Sequence, residues 1–221
     1  MPKPPTMSQR LFCEWSGTAF LLAAVVGSGI MAEKLSGGIG ALALLCNTLP
    51  TGAILVVLIL IFGPLSGAHF NPAVSVGFAL RAEIPWSTAG AYIVVQVLGG
   101  LFGVWIAHLM FEVPVWQLAS TARTGVGQWL AEAIATFGLL LTIFGCASRR
   151  AEAVPYAVGL YITAAYWFTA STSFANPAVT IARSLSDTFA GIAPAGAPAF
   201  IAAQLGGMLV AVGVSRWLWR A

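Results

Sequence analysis

One tripeptide occurs twice, as Asn71-Pro72-Ala73 and Asn176-Pro177-Ala178, and its residue types suit the handling of small polar molecules. Asparagine is among the best helix N-caps, and proline is favoured as the first residue of a helix. Each copy therefore opens a helix at its asparagine, and each leads a short apolar run, Asn71–Leu80 and Asn176–Leu185. A helix N-terminus carries roughly half a positive charge. The capping asparagine uses its carbonyl oxygen on the backbone and keeps an NH2 that can donate to the oxygen of a neutral molecule. Two such ends facing each other across a narrow water path would repel cations and protons and interrupt a proton-conducting water chain. A single copy is an ordinary helix cap; the chemistry lies in the pairing.

The elements around the pair must bring the two ends together. Each run is about 15 Å long as a helix, half a bilayer. Each follows a stretch of small or polar residues, 63–69 and 169–175, so it reads as a half-crossing that re-enters the membrane, tolerated only where protein or water lines it. Six other stretches reach or approach the roughly 20 apolar residues of a full crossing: Leu11–Ala32, Ile39–Phe62, Thr88–Met110, Gly127–Ala147, Ala153–Ala170 and Gly196–Leu218, the fifth being short. Composition agrees with a membrane protein. Only 8% of the 221 residues are charged and 59% are hydrophobic, with a mean hydropathy of +0.90. Such a chain can neither coat a soluble domain nor remain disordered. A net charge of +3 gives no footprint for nucleic acid. The apolar runs are continuous, which excludes a β-barrel. Cys13, Cys46 and Cys146 all lie in apolar stretches and read as buried small hydrophobes. No metal-ligand cluster, nucleophile–base pair or phosphate loop appears, so neither an enzyme nor a cofactor is expected.

The chain also repeats itself. Glu14-Trp15-Ser16-Gly17-Thr18 matches Glu132-Ala133-Ile134-Ala135-Thr136, and Tyr92 to Gly100 matches Phe200 to Gly207 in the same way, around the shared Asn-Pro-Ala. Each half reads span, span, half-span, span. Three full crossings per half is an odd number, so the second half runs in the opposite sense. The division expected is a tail over 1–10, a first inverted repeat over 11–118 and a second over 119–221. Such folds place the permeant site near the midplane, where broken helices meet. With both termini in the cytoplasm, the inner segments hold Lys3, Arg10, Arg81, Arg149, Arg150, Arg216 and Arg220, against Lys34, Arg123 and Arg183 outside, so the positive-inside rule favours cytoplasmic termini. Trp86, Trp116, Trp217 and Trp219 fall near the expected interfaces, and Gly99 and Gly103 allow a close helix crossing.

Ser66-Gly67-Ala68-His69-Phe70-Asn71-Pro72-Ala73-Val74 resembles the first signature of the aquaporin and aquaglyceroporin family, and Ala175-Asn176-Pro177-Ala178 resembles the second, while Glu14 and Glu132 match acidic positions in the first and fourth spans. The resemblance covers nearly the whole chain. It implies an all-α fold of six transmembrane helices and two re-entrant half-helices, a pore in each subunit of a homotetramer in the cell's inner membrane, and passive transport of small neutral solutes. It also implies that Glu14 and Glu132 accept hydrogen bonds from the half-helix loops; a proton relay is the rival role for these buried acids. His69 either anchors the first re-entrant loop or lines the inner vestibule. Gln96 and Gln204 satisfy neighbouring backbone groups in the same manner.

The family's outer constriction, projected onto this chain by spacing, falls at Thr51, Ala164, Ser173 and Val179. Val179 stands where the family usually has arginine. Water-selective relatives use an aromatic, a histidine and that arginine; glycerol-conducting relatives use two aromatics and the arginine. Four small uncharged residues imply a wide ring suited to glycerol-like solutes and to neutral metalloids such as arsenite or methylated arsenicals, with water also admitted, unless Tyr161, Tyr166, Trp167 or Phe168 repacks to narrow it. Arg183, one helical turn beyond Val179, is either a displaced selectivity arginine at the outer mouth or a snorkelling side chain paired with Asp187. A water-selective channel, a coupled secondary transporter and a structural membrane protein of the same fold are the alternative readings.

Overall fold

Thr6 starts the first helix earlier than hydropathy alone suggests. Its hydroxyl accepts from the Gln9 backbone N–H while the Gln9 side chain accepts from the Thr6 N–H, a reciprocal capping box. The sequence expectation of a loose tail through Arg10 is thus corrected: α1 runs from Met7 to Leu35. The computed structural model describes residues 3–219; Met1 and Pro2 of the expected tail, and Arg220 of the inner charge set, lie outside them. There follow α2 (Gly40–Ser66), α3 (Pro72–Leu80), α4 (Trp86–Met110), α5 (Val126–Arg149), α6 (Val154–Phe168), α7 (Pro177–Arg183) and α8 (Ala197–Leu218), with no strand among the described residues.

Five helices (α1, α2, α4, α5 and α8) are long and apolar enough to cross a membrane. The sixth crossing, α6, has 15 residues, about 23 Å of helix, and a 3-10 turn at Ala151–Ala153 lengthens it. The half-helices α3 and α7 have 9 and 7 residues and cannot cross. The fold is all-helical, with six crossings, two re-entrant half-helices and an inverted repeat.

Packing follows the repeat. α1 lies against α2 and α4, and α5 lies against α6 and α8. Small residues set the closeness of both contacts. A Cβ added at Gly99 or Gly103 of α4 would stand 2.2 or 2.1 Å from the Trp15 or Ala19 carbonyl oxygen of α1. A Cβ at Gly207 of α8 would stand 2.1 Å from the Ala133 carbonyl of α5. The halves join where α2 meets α6, and where each half-helix meets the last helix of the other half, α3 against α8 and α7 against α4.

The start of α1 and the ends of α3 and α8 share one face, here the terminal face. Arg10 Nε donates to Tyr92 Oη, Arg81 donates to Ser215, and Arg216 donates to the Leu80 carbonyl. On the far face the segment after α4 is tied to the loop after α7. His108 bridges the Val115 carbonyl and Ser186, and the Ala119 N–H donates to the Ser184 carbonyl. Asp187 accepts from the Ser120 N–H at 2.8 Å and the Ser120 hydroxyl at 2.7 Å. These bonds favour the carboxylate and hold its pKa below the ordinary aspartate value. A depressed folded-state pKa contributes stability that is present above the unfolded value and lost as pH falls through the folded one. Protection of the Ser120 amide, measured against its intrinsic exchange rate, is therefore expected to fall only on acidification below about pH 4, and Asp187→Asn should remove that change in protection.

Candidate functional site

Each re-entrant loop places non-glycine residues in the left-handed region at the same two distances before its asparagine: Ala68 (φ 49°) and Phe70 (φ 48°) before Asn71, and Ser173 (φ 51°) and Ala175 (φ 49°) before Asn176. Such conformations cost about 1 kcal/mol or more each and persist only where the surroundings hold them. The buried glutamates hold them. Glu14 accepts from the Ser66 hydroxyl (2.7 Å), the His69 N–H (2.9 Å), the Phe70 N–H (2.7 Å) and Gln96 Nε2 (2.8 Å). Glu132 accepts from the Phe174 N–H (2.8 Å), the Ala175 N–H (2.9 Å) and Gln204 Nε2 (2.6 Å). The two glutamines reach on to Ser75 and Thr180 of the half-helices. His69 bonds Ser75 through Nδ1 and also lines the cavity described below, so it both braces the first loop and faces open space.

The asparagines then meet. Asn71 Oδ1 caps α3 through the Ala73 N–H, and Asn176 Oδ1 caps α7 through the Ala178 and Val179 N–H groups. Asn71 Nδ2 donates to the Ala175 carbonyl at 2.7 Å, and Asn176 Nδ2 donates to the Phe70 carbonyl at 2.8 Å. Each amide thus uses one N–H to tie the half-helices end to end and has a second to offer. Pro72, Ala73, Pro177 and Ala178 are buried behind the caps as the first helical residues.

Both asparagines line a cavity of about 730 Å³ that runs from Glu152 and Tyr156 near the terminal face, past His69 and Phe78, to Thr51, Val179 and Arg183 beyond the midplane. Its wall is mostly apolar, with Leu21, Val25, Leu55 and Ile162 among the lining residues. Of the four positions projected for the constriction, Thr51, Ser173 and Val179 line this cavity. Ala164 does not: it is exposed on the other side of α6, and Ile162 and Tyr166 face the cavity instead. Two residues along a helix rotate a side chain by about 200°, so a register difference of two turns the expected position outward. Tyr166 is buried, and its hydroxyl lies 3.4 Å from Thr51 Oγ1. Of the other aromatic residues near it, Trp167 and Phe168 are exposed, and Tyr161 donates to the Ala135 carbonyl.

Of the two readings of Arg183, the snorkelling one paired with Asp187 is corrected. Arg183 is 2% exposed, lines the cavity, and does not pair with Asp187, whose carboxylate is taken by Ser120. The cavity wall is therefore not free of arginine, although position 179 is. Arg183 lies one turn beyond Val179 on the same helix face, which brings both to the same cavity.

Residues 2–164 match the Major intrinsic protein family. The aquaglyceroporin AqpS of Rhizobium meliloti (strain 1021) is 54% identical over 212 residues, covering 96% of this chain and 91% of that protein. The chain belongs to the major intrinsic protein family. The glycerol uptake facilitator protein of Streptococcus pneumoniae (strain ATCC BAA-255 / R6) is 32% identical over 175 residues, covering 71% of this chain and 73% of that one. The aquaglyceroporin from Plasmodium falciparum, solved by X-ray crystallography, superposes with a TM-score of 0.74 at 22% identity over 94% of this chain and 95% of that one, a likeness of fold.

As a major intrinsic protein, the chain is a member of a channel family. Its loops, anchors and asparagines were readable in the sequence because they recur in both halves. Tyr166 was readable only as one of four aromatic residues that could narrow the passage, because which of them faces the cavity depends on which way the end of α6 faces. The signal available for it was a tyrosine hydroxyl within an otherwise apolar span, seven residues before the strained Ser173.

Proposed function

We propose that this protein is a passive channel for small uncharged solutes, with glycerol-like polyols and neutral metalloid hydroxides such as arsenite or methylated arsenicals among them, and with water also admitted. One observation carries the reading: a cavity with mostly apolar walls passes both asparagine amides, each with an N–H left to donate. A neutral hydroxylated molecule can exchange its water shell for those donors, whereas a cation meets two helix N-termini. The names of the bacterial relatives, an aquaglyceroporin and a glycerol uptake facilitator, support the same solute class. Valine at 179 supports a wide passage at that level, because an isopropyl group replaces the guanidinium usual in the family. The terminal face is proposed as cytoplasmic on the distribution of lysine and arginine, and the homotetramer rests on the family resemblance.

Stopped-flow shrinkage of proteoliposomes in water, glycerol and arsenite gradients tests this. The wild-type protein should pass all three down their gradients without accumulating any. Val179→Arg should cut glycerol and arsenite flux roughly tenfold while sparing water, since the added guanidinium fills the space that larger solutes need. Unchanged glycerol and arsenite flux in Val179→Arg overturns the wide-passage reading, and a wild-type protein that passes only water shows that Tyr166 sets the bore instead.

A further inference from the structure

Each re-entrant loop is entered through a buried serine five residues before its asparagine, Ser66 and Ser171. The two hydroxyls act alike: Ser66 Oγ accepts from the Ala68 N–H at 3.0 Å, and Ser171 Oγ accepts from the Ser173 N–H at 3.2 Å. Their carbonyls are satisfied differently. Ser66 ends α2, and a carbonyl in the last turn of a helix has no intrahelical partner, so inside the bundle it must find a donor elsewhere. Tyr92 of α4 supplies one, its hydroxyl donating to the Ser66 carbonyl at 2.8 Å. That hydroxyl is buried and accepts in turn from Arg10 Nε at 2.8 Å. The arginine occupies one side of the phenol oxygen and leaves its proton to the carbonyl, and a charged donor strengthens the bond passed on. The Tyr92 ring also stands edge-on to the His69 imidazole, with centroids 5.4 Å apart. In the second half Phe200 takes the place of Tyr92 in the repeat and brings no hydroxyl. There a different arginine meets the Ser171 carbonyl directly, Arg123 Nη1 at 3.4 Å, while its Nε donates to the Gly191 carbonyl at 2.8 Å.

The same carbonyl position is thus tied to an arginine in both halves, through a tyrosine in the first and directly in the second. Both arginines come from the chain ahead of the anchoring glutamate, Arg10 before Glu14 and Arg123 before Glu132. We propose that Tyr92 and, behind it, Arg10 are positioning residues of the first re-entrant loop, and that Arg123 is their counterpart for the second. The glutamates hold each loop by its N–H groups next to the asparagine; the arginines hold it by the carbonyl at its entry. Between the two holds lie the residues at positive φ, Ala68 and Phe70 in one loop and Thr172, Ser173 and Ala175 in the other, which a single hold would leave free to relax. The first turn of α1 is therefore coupled to Asn71 although it lies at the terminal face. The inference deepens the channel reading and, for its effect on conduction, rests on it.

The test is amide exchange in the detergent-solubilised protein well below its melting temperature, with glycerol flux in proteoliposomes beside it. Tyr92→Phe keeps the ring and removes the hydroxyl. It should quicken exchange at His69 and Phe70 about fivefold, leave Phe174 and Ala175 at the wild-type rate, and cut glycerol flux by roughly half. Arg10→Gln should give a smaller rise, and Arg10→Lys should return the wild-type rate. Arg10→Gln combined with Tyr92→Phe should match Tyr92→Phe alone, because Arg10 acts through the hydroxyl. Arg123→Gln should reverse the pattern and quicken Phe174 and Ala175 alone. Circular dichroism and size-exclusion chromatography establish which variants are folded; should Tyr92→Phe fail to fold, Arg10→Gln carries the decision. Wild-type exchange at His69 and Phe70 in the folded variants overturns the tether, and equal quickening in both loops overturns it in favour of a general loss of stability. A local rise with unchanged flux overturns the role in conduction. A wild-type protein that conducts no glycerol overturns the channel reading instead and leaves the exchange rates to decide the tether, so the two failures are distinguishable.

Discussion

Glu14→Leu should leave a protein that no longer holds its first re-entrant loop. The carboxylate accepts four hydrogen bonds, two of them from the His69 and Phe70 backbone N–H groups. The Ser66 hydroxyl and the Gln96 amide can turn to other acceptors. The two backbone donors cannot, because the loop that presents them is buried and Phe70 is held at positive φ. An unpaired buried N–H costs about 1–3 kcal/mol, so the substitution should destabilise by roughly 2–6 kcal/mol. Released from the glutamate, the strained φ at Ala68 and Phe70 can relax, and the Phe70 carbonyl then moves away from Asn176. Loss therefore passes from the anchor to the far asparagine. Glu14→Gln should be intermediate, since it keeps one acceptor oxygen but sets an NH2 against a backbone donor. Glu132→Leu should behave like Glu14→Leu, with the Phe174 and Ala175 donors orphaned. The measurements are the thermal midpoint of detergent-solubilised protein and glycerol flux after reconstitution. A Glu14→Leu protein with wild-type melting and flux would show that the loops hold without the carboxylate.

The second large effect concerns two neighbouring glycines of α8. Gly207→Ala is expected to separate α8 from α5. Its new methyl would stand 2.1 Å from the Ala133 carbonyl oxygen and 2.9 Å from the carbonyl carbon. Backbone atoms in a packed helix cannot give way as a side-chain tip can, so the helices must part by an ångström or more, at a cost of several kcal/mol and with Gln204 drawn away from Glu132. Gly206→Ala meets nothing within 4 Å and should be neutral or stabilising by up to about 1 kcal/mol, the gain in helix propensity. Gly103→Ala in the first half repeats the severe case against Ala19. Thermal melts of the three proteins check this. Equal melting of Gly206→Ala and Gly207→Ala would mean that the close crossing does not support the fold.

These effects fall on residues of different legibility. Glu14 and Glu132 stood out in the sequence because a charge inside an apolar span demands partners, and it was the resemblance to the family that pointed to the half-helix loops as those partners. The paired asparagines stood out because proline after a capping residue fixes a helix start. Gly206 and Gly207 look alike in sequence; only the facing of α8 on α5 tells them apart. Ala164 and Tyr166 are a similar case. Counting residues back from Asn176 assumes a fixed course for residues 169–175, but that segment has its own bends, with Thr172 and Ser173 at positive φ, and the count lands on the wrong face of α6. Arg183 was legible as one turn beyond Val179, but its seat over Phe174 and the taking of the Asp187 carboxylate by Ser120 were not.

By itself, the sequence determined the membrane class, the inverted repeat, the meeting of two half-helices and the presence of one buried acid in each half. Each follows from local chemistry or from period: hydropathy over the length of a bilayer, capping at a proline, symmetry between halves. Tertiary structure decided which side chains share the far end of the cavity. That end is built by α2, α6, α7 and the loop before α7, so its makeup depends on the rotation of each helix about its axis, where a shift of one residue turns a side chain by about 100°. Rotation is set by packing against neighbours from both halves, and a linear pattern records only the period of a helix, not its final angle.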